Sequence, residues 1–431
     1  MQNQPKCALF ATTAHRVNLC SVVIVEYSPL SFPFPVFFPV VFMVHTTLDA
    51  IATATPDLRK PQDEAAAFMT QIDSLSERLR SRLPAVYRGS AIDARHSCIA
   101  DYGTDDPEAF DFFPATWALE PAPSTAERND RYREAAVPLA ETVARQALDT
   151  AAVAPDDITH VIAVSCTGFF APGLDVEIVK RLGLAPTTQR TVIGFMGCYA
   201  AFNAMRVAHG FCQSHPEARV LVVCVELCTL HFQIEDTLES VVVNALFADG
   251  AAAAVFSARS GNDARGRMAY RGSRAMLDDD STDAMTWTIG DTGFRMGLSS
   301  SVPDVIATHL PDYTQALLAA HGLSREDVDF WAIHPGGRRI VERAREVLDV
   351  PESAVAPSLS VLRDYGNMSS PTVLFVLKRI LEGHLEGHND ALSPDLPRPS
   401  PTPAHHDAPD TGLAMAFGPG LTIEGAVFER C

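Results

Sequence analysis

The chain has few positive charges and no closely paired cysteines. Lys and Arg number 34 against 53 Asp and Glu, which gives a formal net charge of −19 at pH 7. Nucleic-acid binding needs clusters of Lys and Arg to neutralise phosphates, so this balance argues against a nucleic-acid partner. The nine cysteines are odd in number and include no CxxC pair. This usage predicts unpaired thiols in a reducing cytoplasm rather than a disulfide framework.

The chain also lacks an uninterrupted membrane-spanning segment. Residues 27–44 carry no charge over 18 positions, which raises the question of a membrane span. Four prolines, at positions 29, 33, 35 and 39, make a helix there untenable. Neither the continuous apolar stretch nor the cleavage site of a secretion signal stands out. We interpret residues 1–42 as an N-terminal extension outside the fold, with Met43 as the true start. A membrane-tethering leader is the alternative.

One cysteine–histidine grouping has to be considered as a metal site. Cys224, Cys228 and His231 are closely spaced, but the group begins inside the apolar run 220–227, which has the pattern of a buried strand. Strand alternation predicts Cys224 and Cys228 on one face and His231 on the other. Buried cysteine acting as a small apolar residue is therefore the better interpretation, and we expect no metal.

The order of predicted elements indicates an α/β fold. Hydrophobic residues make up 47% of the chain, enough for a sizeable core. Apolar strands that alternate with amphipathic helices predict a largely parallel sheet covered on both faces. The predicted helices are 64–83, 130–153, 175–182, 311–321, 341–348 and 372–381. The predicted strands are 159–166, 220–227, 251–256, 330–333, 412–417 and 425–428, after a first strand and turn at 44–56.

Three polar residues follow apolar segments at points where a helix is predicted to begin. Cys198 lies between the β-rich run 191–195 and the helical run 200–208. Unpaired N–H groups and the positive end of the helix dipole would favour its thiolate form. His334 follows the strand 330–333, and Asn367 follows the segment 364–366, in the same strand–turn–helix pattern. Each alone has an ordinary structural explanation: a core cysteine, a strand-end histidine and a helix N-cap asparagine.

Four motifs in this order make the chain recognisable. They are Gly197-Cys198-Tyr199-Ala200, Trp331-Ala332-Ile333-His334-Pro335-Gly336-Gly337, Asp364-Tyr365-Gly366-Asn367-Met368-Ser369-Ser370 and Phe417-Gly418-Pro419-Gly420. From about residue 43 to residue 431 the chain resembles the type III polyketide synthases, the chalcone-synthase-like branch of the thiolase superfamily. The resemblance implies a five-layered αβαβα fold of two pseudo-repeated halves, 43–258 and 259–431, and a homodimer. The stretch 383–410, rich in Pro, His and Asp, is predicted to be an exposed insert in the second half.

The resemblance gives each polar residue a role in carbon–carbon bond formation from CoA thioesters. Cys198 would accept a starter acyl group from acyl-CoA by transthioesterification. His334 and Asn367 would donate hydrogen bonds to the enolate left when malonyl-CoA loses CO2. His334 would also form a thiolate–imidazolium pair with Cys198. Asparagine suits this role because it donates without carrying a charge. No cofactor is expected beyond the CoA thioesters themselves.

Further residues match positions around the family's cavity and CoA tunnel. Phe247 matches the phenylalanine between tunnel and cavity, and Phe294 matches a second one. Gly418, Pro419 and Gly420 resemble the loop that forms one cavity wall. CoA carries phosphates, so an acidic protein needs local cations, which the arginines between positions 78 and 95 would supply. Of these, Arg82 falls near a family cation; Arg82, Arg88 and Gly336 are the candidate CoA contacts.

Three small or uncommon residues suggest the starter. Ala171 stands where plant chalcone synthases have a bulky methionine, and Cys228 and His231 stand where they have threonines. Thr167, Ala171 and Cys228 together resemble the bacterial long-chain alkylpyrone and alkylresorcinol synthases, in which smaller residues open a tunnel for a fatty acyl chain. We therefore expect a fatty acyl-CoA starter extended by two or three malonyl units.

Other functions are left open by the sequence. Cys166 favours a malonyl-primed tetrahydroxynaphthalene synthase as the rival within the family. A ketoacyl-ACP synthase shares the Cys, His and Asn set, and a non-catalytic thiolase-fold scaffold would be expected to lose one of the three. A fatty starter would also allow loose association with a membrane or with a fatty-acid synthase.

Overall fold

A computed structural model describes residues 44–382 and 411–431 of the chain. Both the predicted N-terminal extension 1–42 and the predicted insert 383–410 lie outside the described residues. The helices are α1 (Gln62–Gln71), α2 (Glu77–Arg80), α3 (Leu83–Gly89), α4 (Thr125–Ala151), α5 (Leu174–Leu182), α6 (Ala200–Ser214), α7 (Leu238–Leu246), α8 (Val302–Ala319), α9 (Arg338–Leu348), α10 (Glu352–Tyr365) and α11 (Thr372–Leu381).

The strands of the described residues are β1 (Val44–Ala54), β2 (Leu58–Pro61), β3 (Ala94–Ser97), β4 (His160–Ser165), β5 (Gln189–Gly194), β6 (Arg219–Leu227), β7 (Asp249–Ser260), β8 (Met268–Leu277), β9 (Met285–Gly290), β10 (Gly293–Leu298), β11 (Phe330–Ile333), β12 (Thr411–Gly418) and β13 (Thr422–Arg430). Nine of them form one sheet in the order β11-β12-β13-β8-β1-β7-β6-β4-β5. Two two-stranded sheets, β2–β3 and the hairpin β9–β10, lie apart from it.

The large sheet is mixed, so the expectation of a largely parallel sheet is wrong. Strands pair in parallel only between β11 and β12, β4 and β5, and β4 and β6. The remaining neighbours are antiparallel, including the long pairings of β1 with β7 and of β12 with β13. An apolar strand buried on both faces reads the same in either direction, and this is why its sequence cannot give the strand direction.

Three hydrophobic clusters pack between the five layers of the fold. Alternation along β6 sends Val223 and Val225 into a cluster with α4 and α5, and Val222 and Cys224 into a central cluster. The central cluster is built on α6 and α11, which lie between the two halves of the sheet. Along β12, Leu413 packs into the third cluster, which α8, α9 and α10 cover. The predicted α/β fold of five αβαβα layers describes this arrangement.

Predicted helices differ from the observed ones where a cap or a turn intervenes. The single helix predicted over 64–83 is three short helices, because the chain is extended at Ile72 and the Ser76 side chain caps a new helix. The helix predicted to begin at 130 begins at Thr125, where Ser124 and Glu127 form a capping box. The helix predicted over 311–321 runs from Val302, so Pro311 lies inside it.

The helix α10 was missed, and this changes how Asn367 is presented. The sequence predicts a strand before Asn367, whereas the structure has α10 ending at Tyr365. Loops after β5, β11 and α10 carry the three candidate polar residues, which is how the two halves of the fold contribute to one site.

The described residues include no helix long and apolar enough to cross a membrane.

Candidate active site

Cys198 lies at the entrance to a helix, as the sequence predicts. A 3₁₀ turn over Gly197–Tyr199 follows β5 and leads directly into α6. Gly197 has a φ of +77°, and a Cβ atom at this position would lie 2.3 Å from Cδ of Pro419. The turn therefore needs glycine for its backbone conformation and for its packing. The side chain of Cys198 is buried.

The segment Gly418-Pro419-Gly420 packs against this turn. A Cβ atom on Gly418 would lie 2.7 Å from the ring of Tyr199 and 3.4 Å from the backbone nitrogen of Cys198. The Tyr199 hydroxyl donates a hydrogen bond to the Pro419 carbonyl at 3.5 Å. The segment thus packs beside the turn that carries the thiol.

Asn367 is fixed by a backbone bridge and by both ends of its side chain. Its N–H donates to the Leu246 carbonyl at 2.9 Å, and its carbonyl accepts from the N–H of Ala248 at 2.9 Å. In the side chain, Oδ1 accepts from the N–H of Ser369 at 2.8 Å and lies 4.0 Å from Sγ of Cys198. The amide Nδ2 donates to the Gly336 carbonyl at 3.2 Å.

His334 ends β11 on the loop that Asn367 contacts. Its backbone N–H donates to the Met415 carbonyl at 2.8 Å, and its carbonyl accepts from the N–H of Gly336 at 3.0 Å. The ring is buried, and neither ring nitrogen has a hydrogen-bond partner among the described residues. The structure therefore brings Cys198 into contact with Asn367, and Asn367 into contact with the His334 loop.

Burial dominates the electrostatics of this site. Loss of hydration raises the pKa of Cys198 to about 11, although hydrogen bonds with Ser369 and Asn367 oppose the rise. Burial also lowers the pKa of His334 to about 3. Both shifts favour the neutral thiol and the neutral imidazole. Burial of the two groups thus acts against the expected thiolate–imidazolium pair.

A buried carboxyl group lies behind the thiol and was missed by the sequence analysis. Glu226 of β6 accepts hydrogen bonds at Oε2 from the Cys166 N–H at 2.9 Å and from the Thr167 hydroxyl at 2.8 Å, and at Oε1 from the Ser370 hydroxyl at 2.7 Å. Burial raises its pKa to about 7 despite these donors. A glutamate inside the apolar run 220–227 was the available signal, since glutamate is almost never fully buried without partners.

Phe247 and Cys228 line one cavity of about 70 Å³, between α1, α3 and α7. Aromatic rings of Phe68, Tyr102 and Phe232 form much of its wall. His231 lines the same cavity as Cys228, so the predicted separation of these two residues onto opposite faces is wrong. The reason is that β6 ends at Leu227 and a 3₁₀ turn over Cys228–His231 replaces the strand alternation.

Cys224 points elsewhere, into the central hydrophobic cluster. Throughout the described ranges, no group of three or more His, Cys, Asp or Glu side chains is arranged to hold a metal ion.

Ala171 lines a second cavity, of about 320 Å³, rather than the one beside Cys228. Ser165, Gly168 and Phe169 border this cavity, and Ala171 itself is exposed. Thr167 is buried, and its hydroxyl donates to Glu226. Of the three residues that suggest a fatty starter, Ala171 and Cys228 thus line different cavities, and Thr167 lines neither of these two.

The candidate CoA contacts lie close to the cavity of Phe247. Arg82 immediately precedes α3, Arg88 lies in its last turn, and both are exposed. The helix α3 packs on α7, whose C-terminus carries Phe247. Gly336 lies beside His334 and Asn367. Two other arginines of the predicted basic stretch hold backbone carbonyls instead. Arg80 donates to Ile72 at 2.7 Å, and Arg95 donates to Phe247 at 2.6 Å.

Two domains of one known protein family together match almost all of the described chain. The N-terminal domain of chalcone and stilbene synthases matches residues 43–260, and the C-terminal domain of the same family matches residues 273–431.

Individual relatives give the same result. The alpha-pyrone synthesis polyketide synthase-like Pks18 of Mycobacterium tuberculosis is 34% identical over 386 residues, which cover 89% of this chain and 90% of the relative. The 1,3,6,8-tetrahydroxynaphthalene synthase of Streptomyces peucetius is 32% identical over 66% of this chain and 71% of the relative. The crystal structure of PKS-I from the brown alga Ectocarpus siliculosus superimposes with a TM-score of 0.80 at 35% identity, covering 90% of this chain and 99% of that one.

The buried Glu226 predicts a specific pH dependence of stability. The unfolded chain releases this proton near pH 4.5 and the folded chain near pH 7. Since the folded state binds the proton more tightly, stability falls as the pH rises through this window, by about 3 kcal/mol. Glu226→Gln keeps an acceptor for Cys166 and Thr167 and removes the titration. The free energy of unfolding of this variant, relative to that of the wild type, should therefore increase from pH 5 to pH 8.

Urea unfolding at both pH values measures this difference. Glu77→Gln, at an exposed position, controls for the loss of one charge. A difference between the Glu226 variant and the wild type that does not change with pH would show that the carboxyl group is already ionised at pH 5.

Proposed function

The chain belongs to the chalcone and stilbene synthase family, and from this membership we propose a complete reaction cycle for it. Type III polyketide synthases of this kind are condensing acyltransferases that use malonyl-CoA. In the proposed cycle, Cys198 takes an acyl group from acyl-CoA, malonyl-CoA extends it, and the chain cyclises to a pyrone or a resorcinol. No cofactor takes part besides the CoA thioesters.

The loading step uses the thiol and the imidazole together. As Sγ of Cys198 attacks the thioester carbonyl, its proton moves to a ring nitrogen of His334, and CoA leaves as the thiol after taking that proton. Two observations support this route. Burial favours neutral forms of both groups, and the imidazole has no competing hydrogen-bond partner among the described side chains. A neutral pair needs no charge separation until the substrate carbonyl is in place.

The extension step needs donors for a developing enolate oxygen. Malonyl-CoA loses CO2, and the electron pair of the broken C–C bond forms the enolate, which attacks the acyl carbonyl on Cys198 and releases the thiolate. One N–H of Asn367 binds the Gly336 carbonyl, which orients the amide. The second N–H and a protonated ring nitrogen of His334 would stabilise the enolate oxygen. Phe247 and Gly418-Pro419-Gly420 exclude water from this space.

CoA would enter along α3. Its phosphates would meet the exposed guanidinium groups of Arg82 and Arg88, and its pantetheine arm would pass Gly336 to reach Cys198. These cations matter because the chain as a whole carries a net charge of −19.

A long-chain fatty acyl-CoA is the proposed starter, and an alkylpyrone or alkylresorcinol is the proposed product. The cavity of about 320 Å³ beside Ala171 supports this choice because it is the larger of the two cavities. It lies behind the nucleophile, since Ser165 lines it and the adjacent Cys166 accepts a hydrogen bond from the Gly197 N–H at 3.1 Å. The resemblance to an alpha-pyrone synthase also favours it. A malonyl-primed tetrahydroxynaphthalene synthase is the second candidate, which Cys166 and one relative favour.

A homodimer is part of the proposal. Strand β5 lies at the end of the nine-stranded sheet, with one edge unpaired by any described strand. Its Val192 is 57% exposed, and the nearby Phe169 is 39% exposed. A second copy on this edge would cover both side chains and close the cavity beside Ala171.

We also propose a cytoplasmic location, with loose association with a membrane or a fatty-acid synthase where fatty starters are made. The seven described cysteines are all free thiols, as a reducing compartment would keep them.

Replacing the sulfur tests the nucleophile. In Cys198→Ala, radiolabelled acyl groups should no longer stay bound to the protein after denaturation, and polyketide formation should fall by at least a thousandfold, since covalent loading is lost. Cys212→Ala, on the helix α6 that follows Cys198 and also buried, is the matched control and should keep both labelling and product. Persistent labelling of the Cys198 variant with unchanged yield would end this assignment.

Starter competition tests the proposed substrate. With equimolar short-chain and long-chain acyl-CoAs plus malonyl-CoA, the wild type should form mostly long-chain products. Ala171→Met should shift the ratio toward short starters by roughly tenfold or more, because each displaced methylene loses about 0.8 kcal/mol of burial. Mass spectrometry of the products measures the ratio. If malonyl-CoA alone gives product and long-chain acyl-CoAs give none, the malonyl-primed alternative is correct.

Light scattering tests the dimer. The wild type should have the mass of two chains, and Val192→Asp should have the mass of one, because a carboxylate on each copy would meet across the shared edge. Leu238→Asp, which places the same charge on exposed α7, should stay dimeric. A dimeric Val192 variant would move the interface to another surface.

A further inference from the structure

The hairpin of β9 and β10 carries Phe294 but is not part of the large sheet. Phe294 is buried at 3% exposure and contacts the rings of Phe169, Phe195 and Trp287. The position of a ring on a separate two-stranded hairpin depends on whatever fixes the hairpin to the rest of the fold. Arg128, His231 and Gln233 do this around Phe294 itself. Thr125 and Glu239 bond other positions of the hairpin, and its Trp287 donates to the Cys166 carbonyl.

His231 connects the hairpin to the end of β4. Its Nδ1 accepts a hydrogen bond from the Phe294 N–H at 3.0 Å, so Nε2 carries the proton and donates to the Thr167 carbonyl at 2.7 Å. The imidazole also stacks on the Phe294 ring, with centroids 4.1 Å apart and planes 7° apart. Burial lowers the pKa of His231 to about 3, so the ring is neutral near pH 7.

Arg128 holds the backbone on both sides of His231. The buried guanidinium of Arg128 donates to the Leu230 carbonyl, and to the Phe232 carbonyl at 3.4 Å. Its side chain also packs on Gly293, where a Cβ atom would lie 2.9 Å from Cδ of Arg128.

Gln233 donates to the carbonyls of Thr292 at 3.1 Å and Phe294 at 3.4 Å. The hydrogen bonds of Arg128, His231 and Gln233 thus pass from α4 through the turn after β6 to the hairpin.

We propose that Arg128, His231 and Gln233, here called the hairpin latch, set the position of Phe294 and thereby limit how far the polyketide chain grows. This inference rests on the proposed condensing activity, since it concerns the size of the cavity in which that reaction occurs. His231 is a positioning residue, because it acts through Phe294 and Thr167.

The location of His231 gives this role its consequence. Its ring lines the cavity that holds Phe247 and Cys228, and the carbonyl it binds belongs to Thr167, next to the Gly168 that lines the cavity of Ala171. His231 therefore connects the lining of one cavity to a residue next to the lining of the other. Loss of its hydrogen bonds would leave a buried N–H and a buried carbonyl unpaired, and the hairpin would shift to regain partners. A displaced Phe294 leaves more room for chain growth.

His231→Phe is the direct test, because it keeps an aromatic ring against Phe294 and removes both hydrogen bonds. His160→Phe is a matched control. His160 is also buried and also stacks on a phenylalanine at 4.1 Å, but it lies in β4 against Phe211 of α6. Each purified variant is supplied with one acyl-CoA and with malonyl-CoA. The products are separated by mass according to the number of malonyl units incorporated, and the melting temperature is measured in parallel.

The latch predicts that His231→Phe raises the ratio of longer to shorter products at least fivefold, while His160→Phe leaves that ratio as in the wild type. Gln233→Ala, at a half-buried position, should raise the ratio in the same direction and decides the matter if His231→Phe does not fold. An unchanged ratio in the folded latch variants, with only a lower melting temperature or yield, overturns the latch. A wild type that forms no condensation product overturns the proposed function as well, which separates the two failures.

Discussion

A short backbone bridge between the two halves of the fold holds the candidate site together. The bridge pairs Phe247 with Asn367 through hydrogen bonds to Leu246 and Ala248. Cys198 belongs to the first half and Asn367 to the second. The bridge holds Oδ1 of Asn367 4.0 Å from Sγ of Cys198. Because the bridge is part of the backbone, its geometry depends on the packing of entire elements rather than on one side-chain rotamer.

Arg95 strengthens this junction from below. Its guanidinium donates to the carbonyls of Asn244 and Phe247, and its stem lies where a side chain on Gly366 would otherwise be, 2.9 Å from that Cβ position. Gly366 has a φ of +76°, so both space and conformation require glycine immediately before Asn367. An arginine that the sequence analysis counts only as part of the basic stretch 78–95 therefore positions Phe247 and Asn367.

Burial is the second constraint, and it acts on every ionisable group of the site. The thiol, the imidazole and the carboxyl of Glu226 all shift toward their neutral forms because the two halves exclude water from the space between them. The same exclusion of water suits a reaction in which an enolate must meet a carbonyl before it meets a proton.

The sequence by itself determined which residues could form a site and which class of fold would carry them. Motifs around Cys198, His334 and Asn367 are local, so their turns and glycines are legible in the chain, and apolar runs mark buried strands such as β6 and β12. Only the tertiary structure decided the direction of the strands, the helix α10 before Asn367 and the turn that puts Cys228 beside His231. The physical reason is that burial on both faces erases the periodicity from which direction and face are read. Glu226, Arg95, Arg128 and Gln233 acquire their roles only from partners distant in the chain, and no local pattern records those partners.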